Sequence, residues 1–184
     1  KKLNDLPQPT SHSVLLAAQS GSTKEVFLIG GRRKNVSAAS TIYNQVYAYN
    51  VQQNTWVSKQ SLPYPLSAAS GIAYGNQLLV FSGDQGETFN KVENLLLKIA
   101  TEKETNHLKA LNTEKEHVLA GHPGFSTGVI RYHVGTNVWD SLNPLPAQPP
   151  VTTNAVLWDD QIFISGGEIR AGVRSAAILC GQIK

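Results

Sequence analysis

The stretch "EVFLIGG" (residues 25–31) recurs twice farther along the chain, as "QLLVFSG" (77–83) and "QIFISGG" (161–167). Each copy is a run of apolar and β-branched residues that ends in Gly-Gly or Ser-Gly. Such runs are typical of buried strands, and glycine at a fixed place indicates a backbone conformation or a close approach that other residues resist. The recurrence predicts a repeat architecture, which decides the fold class.

The sequence around each copy repeats as well. A leucine–proline turn and a further apolar strand precede every copy, and the turns are "LPQP" (6–9), "LPYP" (62–65) and "LPAQPP" (145–150). After the first two copies comes a strand pair in which six residues separate a tyrosine from a tryptophan, Tyr49 from Trp56 and Tyr132 from Trp139. Each unit is therefore predicted to hold four short antiparallel strands, the pattern of a β-propeller blade.

The glycine pairs and the spaced aromatic residues resemble the kelch repeat, whose blades are about 50 residues long. We predict an all-β, kelch-type propeller domain over 1–184, with the aromatic residues packed between blades rather than forming a ligand cage. The blades are expected at about 6–61, 62–144 and 145–184. The third unit lacks its Tyr–Trp strand, so the rest of the ring is expected from the same protein, another chain or a second copy.

The second unit contains an insertion. Gly31 and Gly83 lie 52 positions apart, whereas Gly83 and Gly167 lie 84 apart, which places the extra residues within 84–127. Apolar residues recur there at helical spacing, first at Val92, Leu95, Leu96 and Ile99. We predict two short helices over one face of the propeller, with a helix start capped by Thr105 or by residues 112–116, and an end at Gly121.

Composition argues against several classes of partner. The net charge is only +3 and the basic residues form no block, so neither nucleic acid nor another polyanion is expected to bind. No run of about eighteen apolar residues occurs, so no membrane span is predicted. Cys180 is the single cysteine and is expected to be a buried, inert thiol, while His107 and His117 are expected at the surface without a metal. The chain starts at Lys1, which predicts a native start farther upstream.

Antiparallel connectivity brings the loops after the glycine pairs to the same face as the turns between blades. We expect this face to carry a pocket, the default place for a site, lined by the "GHPGFS" stretch (121–126) and by Arg32, Arg33, Glu168, Arg170 and Arg174. The structural alternative is that Glu168 and Arg170 form a surface ion pair worth little, while Arg174 stabilises a loop.

The segment "GGEIRAGVRS" (166–175) resembles the "GE-x-(K/R)-x-G-(L/V)-R" segment of the N-acetylneuraminate epimerases, or sialic acid mutarotases. Members of that family are six-bladed kelch-type propellers with a partly helical insertion one blade before this segment, as at 84–127 here. The resemblance implies that this chain forms about three blades, half of the ring. The segment lies near the end of the chain, which resembles the cyclically permuted branch of the family.

The resemblance also implies roles for individual residues. Glu168 falls on the acid–base glutamate and Arg174 on the substrate-binding arginine, so these two are the predicted catalytic pair. Arg170 occupies a family Lys/Arg position, and Ala171 stands where a proline is common, which is expected to loosen the turn. Arg170 is thus a candidate for substrate binding. Arg32 and Arg33 are further candidates, on loop geometry alone.

The implied activity is interconversion of the α and β anomers of N-acetylneuraminate by acid–base ring opening and closure, without metal or organic cofactor. The resemblance further implies a bacterial protein that is periplasmic or secreted. One alternative is a non-catalytic kelch propeller that binds a glycan or a protein partner. Another is a different glycan enzyme such as a sialidase, for which the sequence shows no evident tyrosine nucleophile paired with a carboxylate and no three arginines spread over the blades in the expected manner.

Overall fold

The computed structural model describes residues 2–183. Two sheets of four antiparallel strands come first. One contains β1 (Val14–Ser20), β2 (Thr23–Ile29), β5 (Val46–Asn50) and β6 (Thr55–Lys59), and a small ribbon of β3 (Arg32–Arg33) and β4 (Thr41–Ile42) lies in the loop between β2 and β5. The other contains β7 (Ser70–Tyr74), β8 (Gln77–Phe81), β9 (Val129–His133) and β10 (Val138–Leu142).

A third sheet follows with β11 (Ala155–Trp158), β12 (Gln161–Arg170) and β13 (Val173–Gln182) in chain order. The insertion between β8 and β9 forms two helices, α1 (Glu87–Thr101) and α2 (Thr105–Ala120). The predicted fold class is thus confirmed: antiparallel four-stranded units repeat along the chain, and one of them carries a helical insertion. The blade boundaries, and the assignment of the chain to half of a six-bladed ring, stay predictions.

The backbone explains why each strand repeat ends in glycine. The first position of each pair has φ near +60°, at Gly30 (58°), Ser82 (62°) and Gly166 (50°). A small polar residue can adopt this left-handed conformation, so serine replaces glycine in the second repeat. The second position has a φ that only glycine adopts without strain, at Gly31 (101°), Gly83 (107°) and Gly167 (116°).

The sheets pack face to face, and the core lies between them. Phe27 of the first sheet and Tyr132 of the second are fully buried, and their rings meet edge to face with centroids 5.7 Å apart. A second cluster, which includes Phe81, Val129 and Ile164, joins the second sheet to the third. Burial of this apolar surface, at roughly 25 cal/mol per Å², is the main force that holds the stack together.

The paired aromatic residues are structural. Tyr132 and Trp139 pack in the interface between the first two sheets, and Tyr49 is buried while its neighbour Trp56 is half-buried. Burial, with a smaller contribution from the Glu25 carboxylate, raises the pKa of Tyr132 to about 12. A tyrosine so buried and so weakly acidic suits a core position and not a reactive one.

One turn precedes the first strand of each sheet, and hydrogen bonds link these three turns. His12, Ala68 and Thr152 occupy the same place in these turns and all have a positive φ, of 57°, 56° and 53°. The backbone N–H of Ala68 donates to His12 O (2.8 Å), and that of Thr152 donates to Ala68 O (3.1 Å). These bonds form a chain from sheet to sheet, here called the inter-blade chain.

The helix boundaries correct one sequence prediction. The N-cap of α2 is Glu104, whose carboxylate accepts from the backbone N–H groups of Asn106 (3.0 Å) and His107 (2.7 Å). Thr105 is instead the first helical residue, and 112–116 lies within the helix. The Glu104 carboxylate, two and three residues before these amides, reaches both of them. Gly121 ends the helix as predicted, and His107 and His117 are exposed as expected.

The prediction for Cys180 is wrong, because the thiol is exposed. In β13 the side chain of Leu179, paired with Ile164, takes the core side, so Cys180 falls on the opposite face with its partner Phe163. That face of the third sheet is open, and Trp158 on it is 68% exposed. Neither described helix has the length and apolar character that crossing a bilayer requires.

The second glycine of each pair generates a test of the fold. A Cβ added to Gly167 would lie 2.6 Å from Val151 O, in addition to the strain of φ 116°, whereas Gly75 (φ 57°) has no heavy atom within 4 Å of such a Cβ. We expect Gly167→Ala to lower the free energy of unfolding by about 3 kcal/mol and Gly75→Ala by about 1 kcal/mol, as measured by urea denaturation. Equal losses in the two variants would contradict the assigned backbone contact.

Candidate active site

The loops that follow the glycine pairs meet the inter-blade turns and the helical insertion around a cavity of about 190 Å³, here called the first cavity. All three sheets contribute to its wall. Charged side chains come from the positions directly after the Gly-Gly or Ser-Gly pairs, and apolar side chains come mainly from the insertion, with Phe89, Val92, Leu119 and Phe125 among them. The convergence of these loops on one face is the geometry expected from antiparallel connectivity.

The charged side chains of the wall occupy one repeated position. Arg32, Asp84 and Glu168 each follow directly after a glycine pair and each line the first cavity. Each forms an antiparallel bridge to one of the three inter-blade turns. The partner is the residue just before the turn residue with positive φ, which gives the pairs Ser11 with Arg32, Ser67 with Asp84, and Val151 with Glu168. The six backbone hydrogen bonds measure 2.8 to 3.1 Å. The fold thus presents three equivalent positions to one cavity, and the sequence places different charges on them.

Glu168 is half-buried, and its carboxylate is oriented by the turn that follows it. Oε1 accepts a hydrogen bond from the backbone N–H of Gly172 at 2.7 Å. Within residues 2–183, no basic side chain lies within ion-pair distance of Glu168, so the surface ion pair with Arg170 considered above is not formed. The carboxylate therefore faces the cavity with its charge uncompensated by a neighbouring guanidinium.

Arg32 is fixed by two neutral groups. Its guanidinium carbon lies 4.3 Å from the ring centroid of Phe89, and Nη2 lies 3.2 Å from Nε2 of His12. Burial and, to a smaller extent, the positive charge of Arg32 lower the pKa of His12, so its imidazole stays neutral. A neutral ring can accept from the guanidinium at Nε2 while Nδ1 meets Ser11 Oγ at 3.1 Å. These contacts orient a cation at the cavity without neutralising it.

The other predicted arginines lie outside the wall of the first cavity. Arg33, Arg170 and Arg174 are all exposed, and Arg33 Nη2 only approaches Asn35 Oδ1 at 3.5 Å. Arg174 is the direct partner of Glu168 in the register of β12 and β13, so its backbone lies next to the carboxylate position. Of the five predicted residues, Arg32 and Glu168 line the same cavity, Arg174 pairs with Glu168 in the strand register but does not line the wall, and Arg33 and Arg170 lie off it.

Two ionisable residues of the wall, Asp84 and His122, are not among the five residues that the sequence predicts for the site. Asp84 has the same position relative to the glycine pair as Glu168, so the repeat alignment contained the signal for it. His122 belongs to the "GHPGFS" stretch that was placed on this face only as a whole. Both residues also border a second cavity of about 470 Å³, which extends toward Gln148. Among residues 2–183 there is no group of three or more side chains suited to hold a metal ion.

Comparison with known proteins identifies the family. The model of the family described as N-acetylneuraminate epimerase matches residues 1–184. The chain belongs to the N-acetylneuraminate epimerase family. Membership confirms the resemblance seen in "GGEIRAGVRS", whereas the cyclic permutation stays a prediction.

Individual relatives are distant and longer. The chain is 25% identical over 186 residues to N-acetylneuraminate epimerase of Pasteurella multocida, covering all of this chain and 47% of that protein. It is 23% identical over 170 residues to N-acetylneuraminate epimerase 1 of Escherichia coli, covering 86% and 42%. A solved structure titled "Structure of YjhT" superposes with a TM-score of 0.76 at 18% identity over 99% of this chain and 54% of that one. The chain therefore spans about half the length of the relatives it matches.

In this epimerase-family chain, Glu93 fastens the wall supplied by α1 to the loop between β2 and β5. The buried carboxylate of Glu93 accepts from the backbone N–H of Ser40 (2.5 Å), from Ser40 Oγ (3.1 Å) and from Lys34 Nζ (2.6 Å). Burial acts to raise the pKa of Glu93, but the hydrogen bonds from Lys34 and Ser40 outweigh it and hold the pKa below its ordinary value. Because Phe89 lies one turn earlier on α1, this clamp also holds Phe89 against Arg32.

The lowered pKa of Glu93 predicts a pH-dependent clamp. Its contribution to stability is complete above the pKa of an unfolded glutamate, about 4.3, and is lost as the pH falls through the lower folded value. We expect Glu93→Gln to lower the free energy of unfolding by about 1–3 kcal/mol at pH 7, with the difference from the parent chain shrinking below about pH 4.3. Urea titrations from neutral to acidic pH measure this difference. Glu114→Gln, on the exposed face of α2, is the control, and a pH-independent difference would contradict the clamp.

Proposed function

We propose that this chain contributes the active site of a sialic acid mutarotase, an isomerase that interconverts the α and β anomers of N-acetylneuraminate. One observation carries the proposal: in a member of the N-acetylneuraminate epimerase family, an uncompensated carboxylate and an uncompensated guanidinium line the same cavity. The names of the relatives support the substrate. Because the chain spans about half of their length, the activity is proposed for the complete propeller that includes this chain.

The substrate needs an anchor for its charge. A sialic acid bears a carboxylate on its anomeric carbon, and a guanidinium meets a carboxylate with two parallel hydrogen bonds that lysine does not provide. Arg32 suits this role because Phe89 and His12 set its orientation in advance, so that little entropy is lost when the anion binds. Arg174, implied by the resemblance and placed beside Glu168, is proposed to close on the same carboxylate from outside the wall.

The chemistry needs a group that both takes and returns a proton. Glu168 is proposed to remove the proton of the anomeric hydroxyl as the bond from the anomeric carbon to the ring oxygen breaks, and to deliver it to that oxygen. Closure on the other face of the carbonyl reverses these steps. Oε1 is held by Gly172, while Oε2 makes no hydrogen bond within residues 2–183 and is the proposed site of proton transfer. Proton transfer of this kind requires no metal or organic cofactor.

Two further features of the proposal follow from the family. The protein is proposed to be periplasmic or secreted, where it would meet sialic acid released from glycans. Its remaining partner is proposed to be the rest of the propeller ring, supplied by the same protein, another chain or a second copy. A separate possibility is that the same cavity binds an acidic glycan without catalysing anomer exchange, and measurement of exchange by NMR distinguishes the two.

Glu168 provides the test of catalysis. We expect Glu168→Gln to slow anomer exchange of N-acetylneuraminate by roughly 10²–10⁴, because the amide cannot accept the proton, while the substrate still binds. Exchange is followed by NMR saturation transfer between the two anomers, with Glu114→Gln as the matched control. Binding without acceleration by the unsubstituted protein would favour a non-catalytic glycan-binding propeller. An unchanged rate in Glu168→Gln would remove Glu168 from the mechanism.

Arg32 provides the test of anchoring. We expect Arg32→Ala to weaken binding of N-acetylneuraminate by roughly 10- to 100-fold, since a charge-assisted hydrogen-bonded contact is lost. Titration calorimetry measures the dissociation constant, and Lys109→Ala on the exposed surface of α2 is the control for lost positive charge. The same change at Arg174 and at Arg33 ranks the three arginines. A larger loss at Arg33 than at Arg32 would show that the first cavity does not hold the sugar carboxylate.

A further inference from the structure

His122 reaches the wall of the first cavity from the end of α2, and its ring is held in place. Gly121 N donates to His117 O (2.9 Å) and His122 N donates to Leu119 O (3.2 Å), which fixes the chain where the helix ends. The imidazole meets the ring of Phe125 edge to face, with centroids 4.9 Å apart and an interplanar angle of 64°. The half-buried ring lines the first cavity together with Glu168 and also borders the second cavity.

The position of the ring proton follows from one hydrogen bond. The backbone N–H of Gly124 donates to Nδ1 of His122 at 3.0 Å. An amide N–H can only donate, so Nδ1 presents its lone pair, and the proton of the neutral ring lies on Nε2. Within residues 2–183, Nε2 forms no hydrogen bond of its own. It is therefore an N–H donor of fixed orientation that is free to meet a ligand.

We infer that His122 donates a hydrogen bond from Nε2 to the ring oxygen of the sugar, a role that rests on the mutarotase function proposed above. When the ring opens, the electron pair of the bond to the anomeric carbon moves onto that oxygen. A donor already aimed at the place where negative charge develops lowers the barrier more than it stabilises the bound sugar. His122 is thus a catalytic residue that supplies a hydrogen bond rather than a proton.

Glu168 and His122 complete the step without a co-reactant. Glu168 takes the proton of the anomeric hydroxyl as the carbonyl forms, and it returns the same proton to the ring oxygen, which regenerates the carboxylate. The Nε2 proton is shared and not transferred, because its loss would leave an imidazolate. Among the other polar side chains of the wall, Asp84 accepts from Gly86 N (2.7 Å) and Thr152 donates to Val151 O (2.7 Å).

Two substitutions separate the donor from the loop contact. In His122→Asn an amide oxygen takes the place of Nδ1 and keeps the acceptor for Gly124, but the shorter side chain does not reach the place of Nε2. In His122→Gln the amide N–H reaches that place, and the acceptor next to the backbone is lost. We expect His122→Asn to slow anomer exchange by roughly 100-fold with little change in KM, and His122→Gln to keep more of the rate.

The controls distinguish this inference from the function on which it rests. His117→Asn, an exposed histidine on α2, is expected to leave the rate unchanged. A purely structural role predicts the reverse order, with His122→Asn active and His122→Gln impaired, and that order or equal rates would overturn the inference. If the unsubstituted protein does not accelerate exchange, the proposed function fails and the inference fails with it. If the unsubstituted protein accelerates exchange and the His122 variants exchange at the same rate, the inference fails while the proposed function stands.

A spectroscopic readout tests the same assignment without measuring a rate. Long-range ¹H–¹⁵N spectra of the imidazole distinguish a ring protonated at Nε2 from one protonated at Nδ1. We expect the Nε2–H form in the free protein and a shift of the Nε2 resonance when N-acetylneuraminate is added. A ring protonated at Nδ1, or an Nε2 resonance that does not move at saturating sugar, would overturn the inference whatever the rates are.

Discussion

The site depends on the inter-blade chain of backbone hydrogen bonds that runs from His12 to Ala68 to Thr152. Each of these residues has a positive φ, which turns the backbone so that the preceding residue can bridge to the position after a glycine pair. Because backbone groups make these contacts, they recur in every sheet whatever the side chains are. These backbone bonds align the sheets at this face, and with them the positions that carry the charged side chains, while apolar burial holds the sheets together.

A repeated backbone position lets a symmetric scaffold hold an asymmetric site. Arg32, Asp84 and Glu168 occupy equivalent places, and only the identity of the side chain distinguishes a cation from an acceptor. The insertion adds what the repeat lacks, namely apolar rings and a histidine that close one side of the cavity. Glu93 fastens this addition to the loop between β2 and β5, so α1 and the segment that carries Arg32 are joined directly. Fold and site are therefore specified by the same glycine pairs.

Much of this arrangement was predictable from the sequence, and the failures have physical causes. The glycine pairs predict the strands because φ near 100° demands glycine, which a sequence shows directly. Arg32 and Arg33 are adjacent on a short strand, so one faces the cavity and the other faces solvent, and sequence alone does not say which. Glu168 and Arg170 would share a face in a regular strand, but the register shifts between them, and Arg170 is exposed and absent from the wall. The apolar strand predicts burial of Cys180, but the thiol is exposed because burial depends on what covers a sheet face, not on the apolar character of the strand.

The first cavity keeps a carboxylate and a guanidinium apart, and this separation suits them to a ligand. A direct pair would neutralise both groups and leave neither a base nor an anchor. Instead, a neutral partner holds each charge: the Gly172 N–H holds Glu168, while the Phe89 face and the His12 nitrogen hold Arg32. The lowered pKa of His12 matters here, since a protonated ring would repel the guanidinium and could no longer accept from it. Dipoles and a ring face stabilise the two charges without quenching them, so both charges stay available to a ligand.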